Sequence, residues 1–119
     1  MKYLLLIQHG DSPLPGSAEW EALSAEEQMT IAADYRAVSQ SAGVTPGVWM
    51  EPPDAATTVR VENTKTLTTD GPFVAVKEAL GGYLFFEAEN LDAAIELAAR
   101  IPAARLGGAV EIRPVKEGY

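Results

Sequence analysis

The chain carries one histidine, His9, which follows the apolar run Tyr3 to Ile7 and precedes Gly10 and Asp11. Imidazole titrates near neutral pH, so His9 is chemically able to move a proton. A base needs an orienting partner, however, and none adjoins it in sequence, so the simpler reading is a hydrogen-bonded or exposed side chain at a strand end. The second candidate is Asp70, in Asp70, Gly71, Pro72, Phe73. At a strand end facing a cleft, its carboxylate could act as a general base or hold a ligand's amine or hydroxyl. The same residues also spell a turn: Asp bonds to the backbone two residues on, Gly takes positive φ, and Pro forbids strand continuation. His9 and Asp70 form a dyad only if the two strand ends are neighbours.

Around the turn, Lys77 and Glu78 could hold an anionic ligand or form a solvated edge. A small-molecule cleft beside the turn would use Asp70, Phe73, Lys77 and Tyr83. Arg60 and Arg113 occupy alternate, outward strand positions and could enter either the cleft or a subunit interface. Trp20, Trp49, Tyr83, Phe85 and Phe86 read as core or interface, although an aromatic-lined cleft would draw on the same residues.

With no cysteine and a single histidine, the chain has no thiolate site, no disulfide and no zinc site of the usual kind. Neither a P-loop, nor a dinucleotide glycine fingerprint, nor a serine elbow occurs, so no cofactor is expected. Nine Lys and Arg against seventeen Asp and Glu give a net charge of −8, which repels nucleic acid and anionic membranes. The N-terminal apolar run ends at Gln8, too short for a signal sequence or a membrane span, and a cytoplasmic location is the expectation.

These 119 residues are the length of one domain, 1–119, with one core. Tyr3 to Ile7 reads as a buried first strand. Ser24, Ala25, Glu26, Glu27 has the form of a capping box, and Ile31, Tyr35, Val38 and Ala42 fall on one face of the helix it starts, with Gly43 as the stop. Val44 to Glu51 admits at most a short or irregular strand before Pro52 and Pro53. Thr57 to Glu62 and Lys65 to Thr69 alternate as two arms of a hairpin turned at Asn63 and Thr64. Gly81 and Gly82 mark a turn or a close backbone approach ahead of a strand over Tyr83 to Glu87. Asn90 caps a second helix whose face is Leu91, Ala94, Ile95 and Ala98, ending at Ile101–Pro102. Ala109 to Arg113 is the last strand, with Val110 and Ile112 inward.

The order is the α+β, ferredoxin-like split βαβ pattern: an antiparallel sheet with two helices on one face. The other face calls for a cover, and a second copy of the chain is the expected one.

Thr69 to Phe73, then Lys77, Glu78 and Gly81 to Tyr83, resemble the YCII-related family, in particular its DGPF subgroup; Met1 to Ile7, Thr57 to Val61, Leu91 to Pro102 and Glu111 to Val115 resemble further family segments in order. That resemblance implies a homodimer closing into a dimeric α+β barrel, with a cleft beside the sheet and no established reaction. Some relatives are linked to alternative sigma factors, which implies a possible partner of that kind. Two departures bear on chemistry. After Phe73 the family's usual Ala, Glu, Thr is replaced by Val74, Ala75, Val76, and the first helix, Ser24 to Ala42, lacks the histidine proposed for an acid/base dyad in shorter relatives. The leading expectation is therefore a homodimeric domain binding a small molecule or a regulatory partner near Asp70 and Phe73. The alternatives are a metal-free acid/base enzyme using His9 or Asp70, and a structural partner of a transcription factor.

Overall fold

The computed structural model describes residues 1–71 and 80–118. Its centre is β1 (Lys2–Gln8), in which Tyr3, Leu5 and Ile7 are buried while the residues between them are only partly covered. That alternation gives the strand two unlike faces. Tyr3, Leu5 and Ile7 face the helices; Leu4, Leu6 and Gln8 face the open side.

β1 pairs antiparallel with β5 (Leu80–Glu87) and with β6 (Ala109–Pro114), and β2 (Val44–Trp49) pairs antiparallel with the far edge of β5. The resulting order, β2-β5-β1-β6, is that of a ferredoxin-like sheet. Register places Leu84 and Ile112 on either side of Leu5, so one apolar row crosses the sheet. Complete burial of Leu5 alone stabilises the fold by roughly 1.5–3 kcal/mol.

Two long helices cover this face. In α2 (Ala25–Ser39) the capping box is formed: the Glu27 backbone N–H donates to Ser24 Oγ at 3.0 Å and the Ser24 N–H to Glu27 Oε1 at 3.3 Å. Ile31 and Val38 are its buried residues. The helix stops at Ser39 with Gln40 as C-cap, earlier than Gly43. Gly43, at φ +84, instead leads into β2, and Ala42 lies exposed beyond the helix. A four-residue helix, α1 (Ala18–Glu21), precedes α2.

α3 (Leu91–Ala99) is capped by Asn90, whose side chain accepts from the Ala93 N–H at 2.9 Å. Its inward face differs from the one expected. Ala94, Leu97 and Ala98 are buried, together with Ile101 beyond the helix, whereas Leu91 and Ile95 are 49% and 50% exposed. Small alanines at the contact let the helix lie close on the sheet, and the bulkier Leu91 and Ile95 turn outward. A short α4 (Pro102–Arg105) follows, starting at the proline expected to end α3.

β2 is the short, irregular strand expected: its register with β5 shifts between Pro46 and Trp49, and its place at the edge tolerates Pro46. The hairpin of β3 (Thr57–Glu62) and β4 (Lys65–Asp70) forms a separate two-stranded sheet, turned at Asn63 and Thr64, both at positive φ. β5 begins at Leu80, so Gly81 and Gly82 lie inside the strand instead of ahead of it.

The rotated α3 face is testable by urea denaturation. Leu97→Ala is expected to cost about 2–5 kcal/mol, and Ile95→Ala under about 1 kcal/mol. Equal losses would restore the face centred on Leu91 and Ile95.

Candidate functional site

At the end of β1 the pairing with β5 slips: Ile7 sits opposite Gly82 but Gln8 opposite Leu80, leaving Gly81 as the extra residue of a bulge. The two glycines then meet rings. A Cβ on Gly81 would fall inside the His9 imidazole, and one on Gly82 would lie 2.7 Å from a Trp49 ring carbon. Any side chain here would expel one ring or the other. The sheet therefore carries, in place of two side chains of its own, the flat faces of His9 and Trp49, whose centroids are 6.4 Å apart with planes 20° from parallel.

The chain on either side of His9 is pinned. Gly10 takes φ +55, the Ser12 N–H donates to the His9 carbonyl at 2.8 Å, and the Asp11 N–H donates to the Gly107 carbonyl at 3.1 Å. Across the sheet, the Met50 N–H donates to the Gly81 carbonyl at 2.8 Å and anchors the end of β2 beyond Trp49.

Helices supply the opposite wall. Tyr35 of α2 meets Trp49 edge to face at 4.8 Å and 86°. Trp20 is positioned by Ser17, whose hydroxyl accepts from the Trp20 N–H at 3.1 Å and donates to the Leu14 carbonyl at 2.6 Å. Gln28 Nε2 donates to the Trp20 carbonyl at 2.8 Å, tying α1 to α2. Between these parts lies a cavity of about 520 Å³, lined by His9, Pro13, Leu14, Pro15, Trp20, Ile31, Ala32, Tyr35, Trp49, Met50, Glu51 and Pro52. That volume suits a small organic molecule.

His9 is the polar centre of this site. It is 8% exposed, and its Nδ1 is buried without a hydrogen-bond partner. Burial lowers its pKa below the ordinary 6.5, so the ring is neutral at pH 7. An orphaned buried nitrogen costs about 1–3 kcal/mol. The Tyr35 phenol is pushed up by burial, with the Ala103 backbone and the Arg105 charge acting in the opposite direction.

Asp70 lies elsewhere. It is an exposed residue at the end of β4, opposite Thr57, and does not line the cavity. Gly71 has φ +99, its N–H donates to the Ala56 carbonyl at 2.7 Å, and its own carbonyl accepts from Thr58 Oγ1 at 2.8 Å. Of the turn reading, the positive φ at Gly71 falls on the described residues, and Pro72 lies outside them. Phe73 and Lys77 fall outside the described residues. Tyr83 stacks edge-on to Phe85 at 6.0 Å and borders a second space of about 30 Å³ beneath β2, not the larger cavity. Arg60 sits on the hairpin and Arg113 on β6, both on exposed positions. Among the described residues, no three His, Asp or Glu side chains converge as a metal-binding group, and no helix is long and apolar enough to cross a membrane.

Of the aromatics, Trp20 and Trp49 line the cavity, Phe86 packs against the core, and Tyr83 with Phe85 lies on the open face. Tyr35 is legible in the sequence only as a helix-face residue. The available signal was the Gly81–Gly82 pair within a strand that also faces a histidine.

Comparison with known proteins gives two findings. Residues 1–118 match the YCII-related domain family. An uncharacterised protein of Rhizobium meliloti (strain 1021) is 31% identical over 99 residues, which span 79% of this chain and 80% of that protein.

The lowered His9 pKa fixes the sign of a pH effect. Unfolded chains bind the proton more readily than the native state, so stability is complete above 6.5 and falls as pH drops from 6.5 toward the native value. Urea midpoints of the native protein should therefore decline between pH 7.5 and 5.5 more steeply than those of His9→Gln. Parallel slopes would mean that His9 is solvated.

Proposed function

The chain belongs to the YCII-related domain family, and from that premise we propose that it is a small-molecule-binding protein whose ligand occupies the cavity between His9, Trp20, Tyr35 and Trp49. The observation that carries this reading is an aromatic-lined space of about 520 Å³ with the His9 ring on its border. Apolar walls supply affinity and one polar group fixes orientation, which is the usual economy of a ligand site. Within the family, the motif Asp70 to Phe73 supports the DGPF subgroup.

Binding without turnover fits better than acid/base catalysis. His9 is neutral and could accept a proton, but the described lining places no carboxylate in hydrogen-bond contact with it, and Asp70 stands on the separate hairpin.

The binding unit is a homodimer in this reading. On the open face of the sheet, Leu4 and Leu6 pair with Phe85 and Tyr83 and are only partly covered, and Lys2 Nζ lies 5.4 Å from the Phe85 ring centre. On the hairpin, Val59, Val61 and Leu67 are exposed. A two-stranded hairpin is marginal alone, and a second copy would bury both surfaces.

Benzyl alcohol, an uncharged aromatic probe, should shift the His9 ring signals and the indole signals of Trp20 and Trp49 saturably in NMR titration. Ala32→Trp, a change on the exposed wall of α2, should abolish those shifts while the protein stays folded. Absence of any shift, or shifts unaffected by Ala32→Trp, would overturn the reading. The same sample should sediment with the mass of two chains, and a one-chain mass would remove the dimer.

A further inference from the structure

The lining of the His9 cavity has a definite electrical character. Among the described residues that border it, Glu51 is the one charged side chain, and there is no lysine or arginine. Glu51 is exposed, at the rim, where its carboxylate meets solvent. Nearby Arg105 is engaged with Asp34 at 2.6 Å. The chain as a whole bears −8, so its field draws cations inward and turns anions away.

Inside the rim, three aromatic side chains stand around the space. Trp49 and Tyr35 meet perpendicularly at 4.8 Å, forming a corner of two ring systems, and Trp20 stands on the helical wall. Trp49 is 56% exposed, which leaves much of its surface open to a ligand. Ring faces carry negative quadrupole charge and attract cations, most of all weakly hydrated ones such as alkylated ammonium groups. His9 adds no opposing charge, because it is buried among apolar groups and can offer a hydrogen bond instead.

We infer that the ligand is a cationic amine, a tertiary or quaternary ammonium group on an apolar body, with the ammonium held by Trp20, Tyr35, Trp49 and Glu51 and a hydroxyl or carbonyl of the body directed to His9. This deepens the binding reading above and rests on it. An anionic ligand would find no counter-charge in the described lining, and a purely apolar one would leave both Glu51 and His9 unused.

The test compares choline with its uncharged isostere 3,3-dimethylbutan-1-ol, each titrated into the full-length protein and followed by the His9 and tryptophan indole NMR signals. The two differ in charge and hardly at all in shape. Choline should bind about tenfold more tightly, and Glu51→Gln should narrow that gap. Equal affinities would overturn the cationic class while leaving the cavity as a binding site. If neither compound nor benzyl alcohol moves the His9 signals, the cavity reading falls with it.

Discussion

The arrangement rests on the absence of two side chains. At Gly81 and Gly82 the central strand β5 presents bare backbone where its register with β1 slips, and the His9 and Trp49 rings occupy the space. Register in a sheet with one buried face is strongly specified, because a one-residue shift sends every side chain to the opposite side. Here the slip is confined to the strand end. Leu5, Leu84 and Ile112 remain in one apolar row, and only the final positions are re-aimed.

From that slip the remaining features follow. His9 continues the buried alternation of Tyr3, Leu5 and Ile7, so it enters the apolar layer as a polar residue and stays neutral there. Trp49 comes over Gly82 because β2 ends beside β5 and the Met50 N–H closes on the Gly81 carbonyl. Two aromatic rings on a flat floor, with Tyr35 and Trp20 opposite, line a cavity open to solvent at Glu51. The energetic cost falls on His9 Nδ1. Polar atoms buried without partners are rare in folded proteins, and this one belongs to a ring that borders the cavity.

Much of the fold was legible in the sequence, through devices that act locally. The capping box at Ser24 and Glu27, the Asn90 cap, the Asn63–Thr64 turn and the alternation of Val110 and Ile112 each declare themselves within a few residues, and the structure realises them. What escaped depends on distant partners. The α3 face turns on how closely Ala94 and Ala98 approach the sheet, which periodicity does not report, and Leu91 and Ile95 looked equally apolar. The site was harder still. His9 and the glycine pair were conspicuous separately, but their contact joins residue 9 to residue 81, and the wall residues Pro13, Trp20 and Tyr35 come from three segments. The most visible motif, Asp70 to Phe73, drew attention to a segment whose described part, Asp70 and Gly71, does not line this cavity.

The whole arrangement requires the His9 ring to lie flat against the glycine backbone of β5 and beside Trp49. As the chain has one histidine, its ring protons give unambiguous nuclear Overhauser contacts. Strong contacts are expected from the His9 ring to the Gly81 α-protons and to Trp49, with the Gly81 α-protons moved upfield by the imidazole ring current. A His9 ring with solvent-like shifts and no contact to Gly81 would contradict that placement.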